Sequence, residues 1–418
     1  MSRSHSASRR VIQNLAWLLA IGPLLHSVYA AQCSHTGASI CIEDARIQRP
    51  TCSIERHNIK GVVGYFDASP DRLCGVGRYI PAGYYTHINI AFAGVDPNTF
   101  QIVGSSGRDL RLWRSMDGLR LDQPSVDIWI TLRGRLVSDL DQPTRNTSSD
   151  IARSEKNQKL FAKDLIAMMM EYGFDGVDID WEFPGPEERG GRTGELENFS
   201  KWMKNLRAQL ENSGTNYQYL QYYDIKKLEN PVDWFNLVSY DIRDTEDMLN
   251  TWVGPYVHSQ NNLTQVKSAM DLLWRNRVDP RKVVMGMTYS GRSLTLADRT
   301  CAEVGCMFRS GGKAAKCTAT VGFIYNWEIQ DITEERGLAP TLYEDAAIKP
   351  VSFGDQWVSY EDEDTYKTRG DYARTHCLGG VSVWSISQDD KEFTAAQALT
   401  RAIGRKRMDP PNYHEILP

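Results

Sequence analysis

The sequence has no basic bias. Lys and Arg total 48 against 53 Asp and Glu, a formal net charge of −5 over 418 residues. That balance argues against a nucleic-acid partner. Beyond the N-terminus there is no apolar run long enough to cross a bilayer. The eight cysteines include no CxxC pair, and no His stands at zinc-site spacing, so a structural zinc is disfavoured. No internal repeat or low-complexity tract occurs, which removes solenoid and array architectures.

What is present begins with an export signal. Arg3, Arg9 and Arg10 precede the apolar run LAWLLAIGPLL, and Val28-Tyr29-Ala30 offers small residues for cleavage near Ala30. A membrane anchor is the alternative, but the run is short and contains Gly22 and Pro23. Residues 1–30 are therefore expected to be a signal peptide, and the mature chain secreted with no membrane association. All eight cysteines follow that point, which suggests disulfides in an oxidising compartment. Cys301, Cys306 and Cys317 are close enough to staple one loop. Acceptor sequons for N-glycans stand at Asn146, Asn198 and Asn262. Residues 31–56 hold three cysteines and read as a linker.

Seven β-type runs recur along the remainder: 61–66, 86–92, 126–132, 174–183, 234–240, 282–289 and 379–386. Amphipathic segments such as LFAKDLIAMMMEYG and LENFSKWMKNLRAQLE lie between them. Such alternation predicts an α/β fold with a parallel sheet, closed as a (β/α)8 barrel over 57–410. An eighth strand is not evident. The stretch ENSGTNYQYLQYYDIKKLENPV, from Glu211 to Val232, shows no strand followed by a full helix. Residues 297–361, rich in Cys, Gly and short polar turns, read as a small α+β insertion between the seventh and eighth strands of a full barrel.

FDGVDIDWEF contains the chemistry. In a strand, residues two apart share a face, so Asp178, Asp180 and Glu182 line up, with Val177, Ile179, Trp181 and Phe183 opposite. Glu182 would lie at the C-terminal mouth of the barrel, where such folds place their sites. Crowded carboxylates raise one another's pKa, and one that keeps its proton can serve as a general acid. Glu182 is the natural proton donor, with Asp180 beside it to stabilise positive charge. A divalent-metal site, a solvent-facing polar strand and a structural network of acids are the competing readings. The flanking GFDG and FPG turns and the barrel context count against them.

The segment DGVDIDWE (175–182) resembles the DGxDxDxE signature of family 18 glycoside hydrolases, the chitinases. GGRTGELENF, DWFNLVSYD, WVGPY, DLLWRN, KVVMGM and DQWVSYEDEDTYK are similar to the secreted filamentous-fungal branch of that family. The resemblance implies an endo-acting hydrolase of β-1,4-linked N-acetylglucosamine, with chitin or chitooligosaccharide as partner. It implies a monomer and no metal or organic cofactor. Its mechanism is retaining and substrate-assisted. Glu182 would protonate the glycosidic oxygen and later activate water. Asp180 would orient the acetamido group, and Asp178 would share a proton with it. Tyr240 would bond the N-acetyl group, with Asp241 beside it. Trp384 would form the floor under the sugar, with Tyr65 and Phe92 near it. Trp181 and Arg292 complete the expected sugar-contacting set.

Some positions depart from the family pattern. A fifth strand of the type GLxITLPAxYW is missing between Tyr217 and Gln218. This is the gap that the strand count also finds. Ser69 replaces a Trp, Arg133 a Gly close to the acids, Val238 a Met and Ser290 a Tyr. Arg133 is expected to reach toward Asp178 or to fill part of the cleft. A barrel without its fifth strand would leave the acid strand with an exposed edge. Two explanations fit the gap: a diverged, chitin-binding copy with weak or no hydrolysis, or a segment removed from the gene as if it were intron. An endo-β-N-acetylglucosaminidase acting on N-glycans, which uses similar acids, is a further alternative. The retained Glu182 favours hydrolysis, and WVGPY with the insertion favours chitin.

Overall fold

A computed structural model describes residues 47–407 and 413–415, except 56, 68–78, 105–106, 133–141, 183, 186–190, 212–215, 220–224 and 250–252. The expected signal peptide, most of the expected 31–56 linker, Ser69, Arg133 and Phe183 lie outside the described residues.

Eight parallel strands form the central sheet: β1 (Gly61–Asp67), β2 (His87–Val95), β3 (Asp127–Leu132), β4 (Gly176–Ile179), β5 (Asn216–Tyr219), β6 (Phe235–Leu237), β7 (Val283–Thr288) and, after the insertion, β13 (Gly380–Trp384). Their order is β5–β4–β3–β2–β1–β13–β7–β6. This is the sequential order of a (β/α)8 barrel, with no ladder joining β5 to β6 among the described residues. All seven strands expected from the sequence are present.

The strand expected to be missing is replaced by a short one. Asn216–Tyr219 pairs in parallel with Gly176–Ile179 and covers the outer edge of the acid strand. Four residues are too few for a periodic pattern, which is why the stretch reads as a gap. The real deficit comes next. Helix α3 (Ile225–Leu228) has only four residues, where the crossovers before β4, β5 and β7 carry helices of 18, 17 and 13.

Helix α1 (Glu155–Tyr172) shows how a full crossover works. Ser154 caps it by accepting the Asn157 N–H at 3.3 Å. Phe161, Ala162, Leu165, Met168 and Met169 are buried at helical spacing. Gly173 ends the helix at φ 72°, a left-handed conformation that glycine adopts without cost. Helix α2 (Glu195–Glu211) then packs on α1, with Phe161 and Trp202 edge to face at 5.3 Å. Helix α4 (Leu263–Arg275) is capped by Asn262, whose side chain accepts the Thr264 N–H.

The insertion is an antiparallel sheet made of β8 (Ser290–Leu296), β9 (Phe308–Gly311), β10 (Phe323–Tyr325), β11 (Lys349–Phe353) and β12 (Gln356–Tyr360), with helix α5 (Asn326–Glu335). It starts earlier than Ala297, because β8 follows β7 almost without a break. Helix α6 (Glu363–Thr375) returns the chain to β13 behind a capping box at Asp362 and Thr365.

Cys301 and Cys306 are bridged, closing one turn of the insertion. Cys317 is disulfide-bonded too, outside that pair. Cys52 is bonded to Cys377, across a sequence separation of 325. Residue 52 of the expected linker is thus fastened to the end of α6. Among the described residues no helix is long and apolar enough to cross a membrane.

Candidate active site

The sequence of β4 decides which side chains enter the barrel. Asp175 precedes it and is held at the N-terminal end. Its carboxylate accepts from Arg120 and from the Ile128 N–H, while its own N–H donates to the Ile128 carbonyl. This fixes the register, so Gly176 and Asp178 point inward and Val177 and Ile179 outward. Gly176 is obligatory, because a Cβ there would lie 2.4 Å from the Trp129 ring.

The interior is filled in layers. The lower layer holds Trp129, Trp234 and His87, with Trp129–Trp234 centroids 5.0 Å apart and His87–Trp234 4.7 Å apart. His87 also pairs with Asp127 at 3.2 Å. The layer above is polar. Asp178, 3% exposed, accepts from the Tyr65 hydroxyl at 2.9 Å, Thr131 at 3.1 Å, Asn89 at 3.3 Å and Asn236 at 3.5 Å. Asn236 also donates to the Tyr65 hydroxyl at 2.9 Å. Burial pushes the Asp178 carboxyl up to about 6, against the lowering effect of these bonds.

Asp180 and Glu182 follow beyond the end of the strand, and both are half-buried. The Asp180 N–H still donates to the Leu132 carbonyl at 3.1 Å, which prolongs the grip of β3. The turn after Glu182 is pinned by Glu195, a buried residue of α2 that accepts the Gly185 N–H at 2.8 Å.

Tyr240 stands after β6, its ring against the Cα of Gly286. Burial raises its pKa well above the ordinary value, helped by Asp241, Asp180, Glu182 and Asp178 in that order. The four carboxylates therefore surround a phenol that keeps its proton. Asp241, at φ 57°, is held by Arg292 of β8 through two bonds, 2.8 and 2.5 Å.

Trp384 ends β13 with Tyr65 5.6 Å and Phe92 5.5 Å from its ring. The peptide bonds Ala91–Phe92 and Trp384–Ser385 are cis. The expected floor residues thus come together, next to the acids. Trp181 does not join them. It is 4% exposed and packs on Phe199 at 5.5 Å and Trp202 at 6.3 Å. Its place in the strand alternation turns it to the helix layer, so it is core and not a sugar contact.

Asn89, Thr131, Asn236 and Glu195 were not foreseen. The first three are polar residues at inward positions of largely apolar strands, and that exception to the pattern is their signal. Among the described residues no cluster of His, Cys, Asp and Glu could hold a metal ion. The acid row stands at the C-terminal end of a parallel barrel, where such folds place their active sites.

Residues 61–389 match the family model for glycosyl hydrolases family 18. The chain belongs to that family. It is 26% identical to chitotriosidase-1 of Mus musculus over 75% of this chain and 69% of that protein. It spans only 16% and 24% of two longer curated relatives. Among solved structures, a class V chitinase mutant from Nicotiana tobaccum in complex with NAG4 superposes with a TM-score of 0.70 at 19% identity, over 82% of this chain and 99% of that one. Human YKL-39, described as a pseudo-chitinase with retained chitooligosaccharide binding, superposes with a TM-score of 0.72 at 21% identity, with the same coverage.

Proposed function

We propose that this protein is an extracellular endochitinase, cleaving β-1,4 linkages between N-acetylglucosamine units with retention of configuration. The observation that supports this reading best is the wiring of the acid row. Asp178 is buried, half-protonated near pH 6 and bonded to four side chains, beneath Asp180, Glu182 and Tyr240. Glu182 donates its proton to the glycosidic oxygen as the bond to C1 breaks. The carbonyl oxygen of the substrate's own acetamido group closes on C1 to give an oxazolinium ion. Asp180, with the shared proton passed to Asp178, accepts the acetamido N–H and as a carboxylate offsets the ring's positive charge. Tyr240 donates to the acetamido carbonyl. Glu182, now a carboxylate, takes a proton from water, whose oxygen opens the ring at C1. Trp384, Tyr65 and Phe92 pack under the sugar, and Asp241 and Arg292 line its edge. The disulfides accord with an extracellular site of action.

Chitooligosaccharide binding without turnover is the second reading. It is favoured by the short β5 and α3 next to the acid strand and by the likeness to YKL-39. One experiment separates the two. The purified chain and Glu182→Gln are assayed on chitotetraose for turnover and for binding. Hydrolysis that drops by about 10²–10⁴-fold in the variant, with binding kept, supports the enzyme. Equal binding and no turnover in either chain supports the lectin-like reading.

A further inference from the structure

This inference rests on the reading of Tyr240 and Asp241 as substrate-contacting groups. The insertion joins the barrel through a neck of two crossings. The chain leaves at Thr288–Ser290 and returns at Ser359–Glu361. Glu361 and Arg369 are in ionic contact there at 2.5 Å, both side chains fully buried, while Glu361 Oε1 and the three guanidinium nitrogens have no hydrogen-bond partner among the described residues. The other Glu361 oxygen accepts the Thr288 N–H at 2.7 Å. Asn326 donates to the Glu361 carbonyl at 2.8 Å, and the Tyr366 hydroxyl to the Thr288 carbonyl at 2.9 Å. Burial pushes the Glu361 carboxyl up and the Arg369 guanidinium down, so the pair is held at a desolvation cost. Apolar side chains of the same volume would give equal or better stability.

A second fastening lies on the cleft side. Gln260, fully buried, donates its side-chain N–H to the Ser290 carbonyl at 2.9 Å. Its backbone N–H donates to the Ser359 hydroxyl at 3.4 Å, and its carbonyl accepts the Ile242 N–H at 2.8 Å. One residue thus touches both crossings of the neck and the backbone next to Asp241. Two residues beyond Ser290, Arg292 grips Asp241.

We propose that the neck is a positioning device. Glu361, Arg369 and Gln260 set the angle at which the insertion presents Arg292 to Asp241, and so fix Asp241 and Tyr240 at the substrate. None of the three touches the reacting atoms. Arg369→Met would strand a buried carboxylate and endanger folding, so Gln260→Met is the variant of choice.

The test is a double-mutant cycle with Arg292→Met, read as kcat/KM on chitotetraose, or as chitotetraose binding by calorimetry if turnover is absent. Gln260→Met is expected to lose about tenfold in the native background and almost nothing once Arg292 is gone. Equal losses in both backgrounds overturn the proposal. The crystal structure of Gln260→Met decides independently of any activity. Arg292 displaced from Asp241 supports the device, and Arg292 still held by both bonds overturns it. A chain that neither cleaves nor binds chitotetraose refutes the proposed function, and the crystallographic arm still decides on the neck.

Discussion

The two edges of the acid strand are built to different standards. On one side, β1, β2 and β3 run for seven, nine and six residues. On the other, β5 and β6 run for four and three, with the four-residue α3 between them. Yet Asp178 takes its side-chain bonds from Tyr65, Asn89 and Thr131 on the long side, and reaches across the barrel to Asn236 on β6. The comparison teaches that the acids are aligned mainly by a web of side chains across the interior. The ladder on their weaker edge is a cover more than a guide.

If that is right, the web is where damage should be greatest. Asp178→Asn is expected to lower kcat on chitotetraose by about 100-fold, of the order seen when a positioned polar group is lost from a transition state. The same variant tests the burial of this carboxyl. Asp178 is raised from 3.8 to about 6, so its protonated form is favoured in the folded state. Its contribution to stability is complete below about pH 4 and is lost as pH rises through 6. A shift of that size corresponds to about 3 kcal/mol. Urea unfolding at pH 4 and pH 8 should show a fall in stability that is larger in the native chain than in Asp178→Asn by about this amount, since buried Asp389, raised to about 7, contributes to the fall in both chains. A flat difference between the two chains would mean that the carboxyl is solvated.

The lower layer of the strong side offers a smaller effect. Gly176→Ala puts a methyl into the Trp129 ring, and overpacking of this kind costs about 1–3 kcal/mol. Thermal unfolding measures it, and an unchanged Tm would show that Trp129 can move aside. The smallest effect is expected on the weak side. Tyr217→Pro, which removes one backbone N–H from β5, should leave kcat/KM within about threefold, since single edge hydrogen bonds contribute about 1 kcal/mol or less. A loss as large as that of Asp178→Asn would reverse the comparison and make β5 the guide.

The same contrast explains what could be read in advance. The acid row was legible because three charges at a spacing of two in an apolar run admit few arrangements. The grouping of Trp384, Tyr65 and Phe92 followed from the family resemblance. The polar web was not legible. Asn89, Thr131 and Asn236 lie far from Asp178 in sequence, and each sits in a largely apolar strand. β5 escaped because four residues carry no period, and its pairing is supplied by the tertiary contact with β4. Trp181 was misplaced because the resemblance overrode the alternation, which already turned it outward.

The bond between Cys52 and Cys377 has a further consequence. It makes the chain from one to the other a covalent ring that encloses all eight barrel strands but the last, and the whole insertion. A protease that cuts one loop in that span opens the ring without releasing a fragment. A nicked molecule would run at full mass on a non-reducing gel and come apart only when reduced. A single cut then need not be the end of the fold.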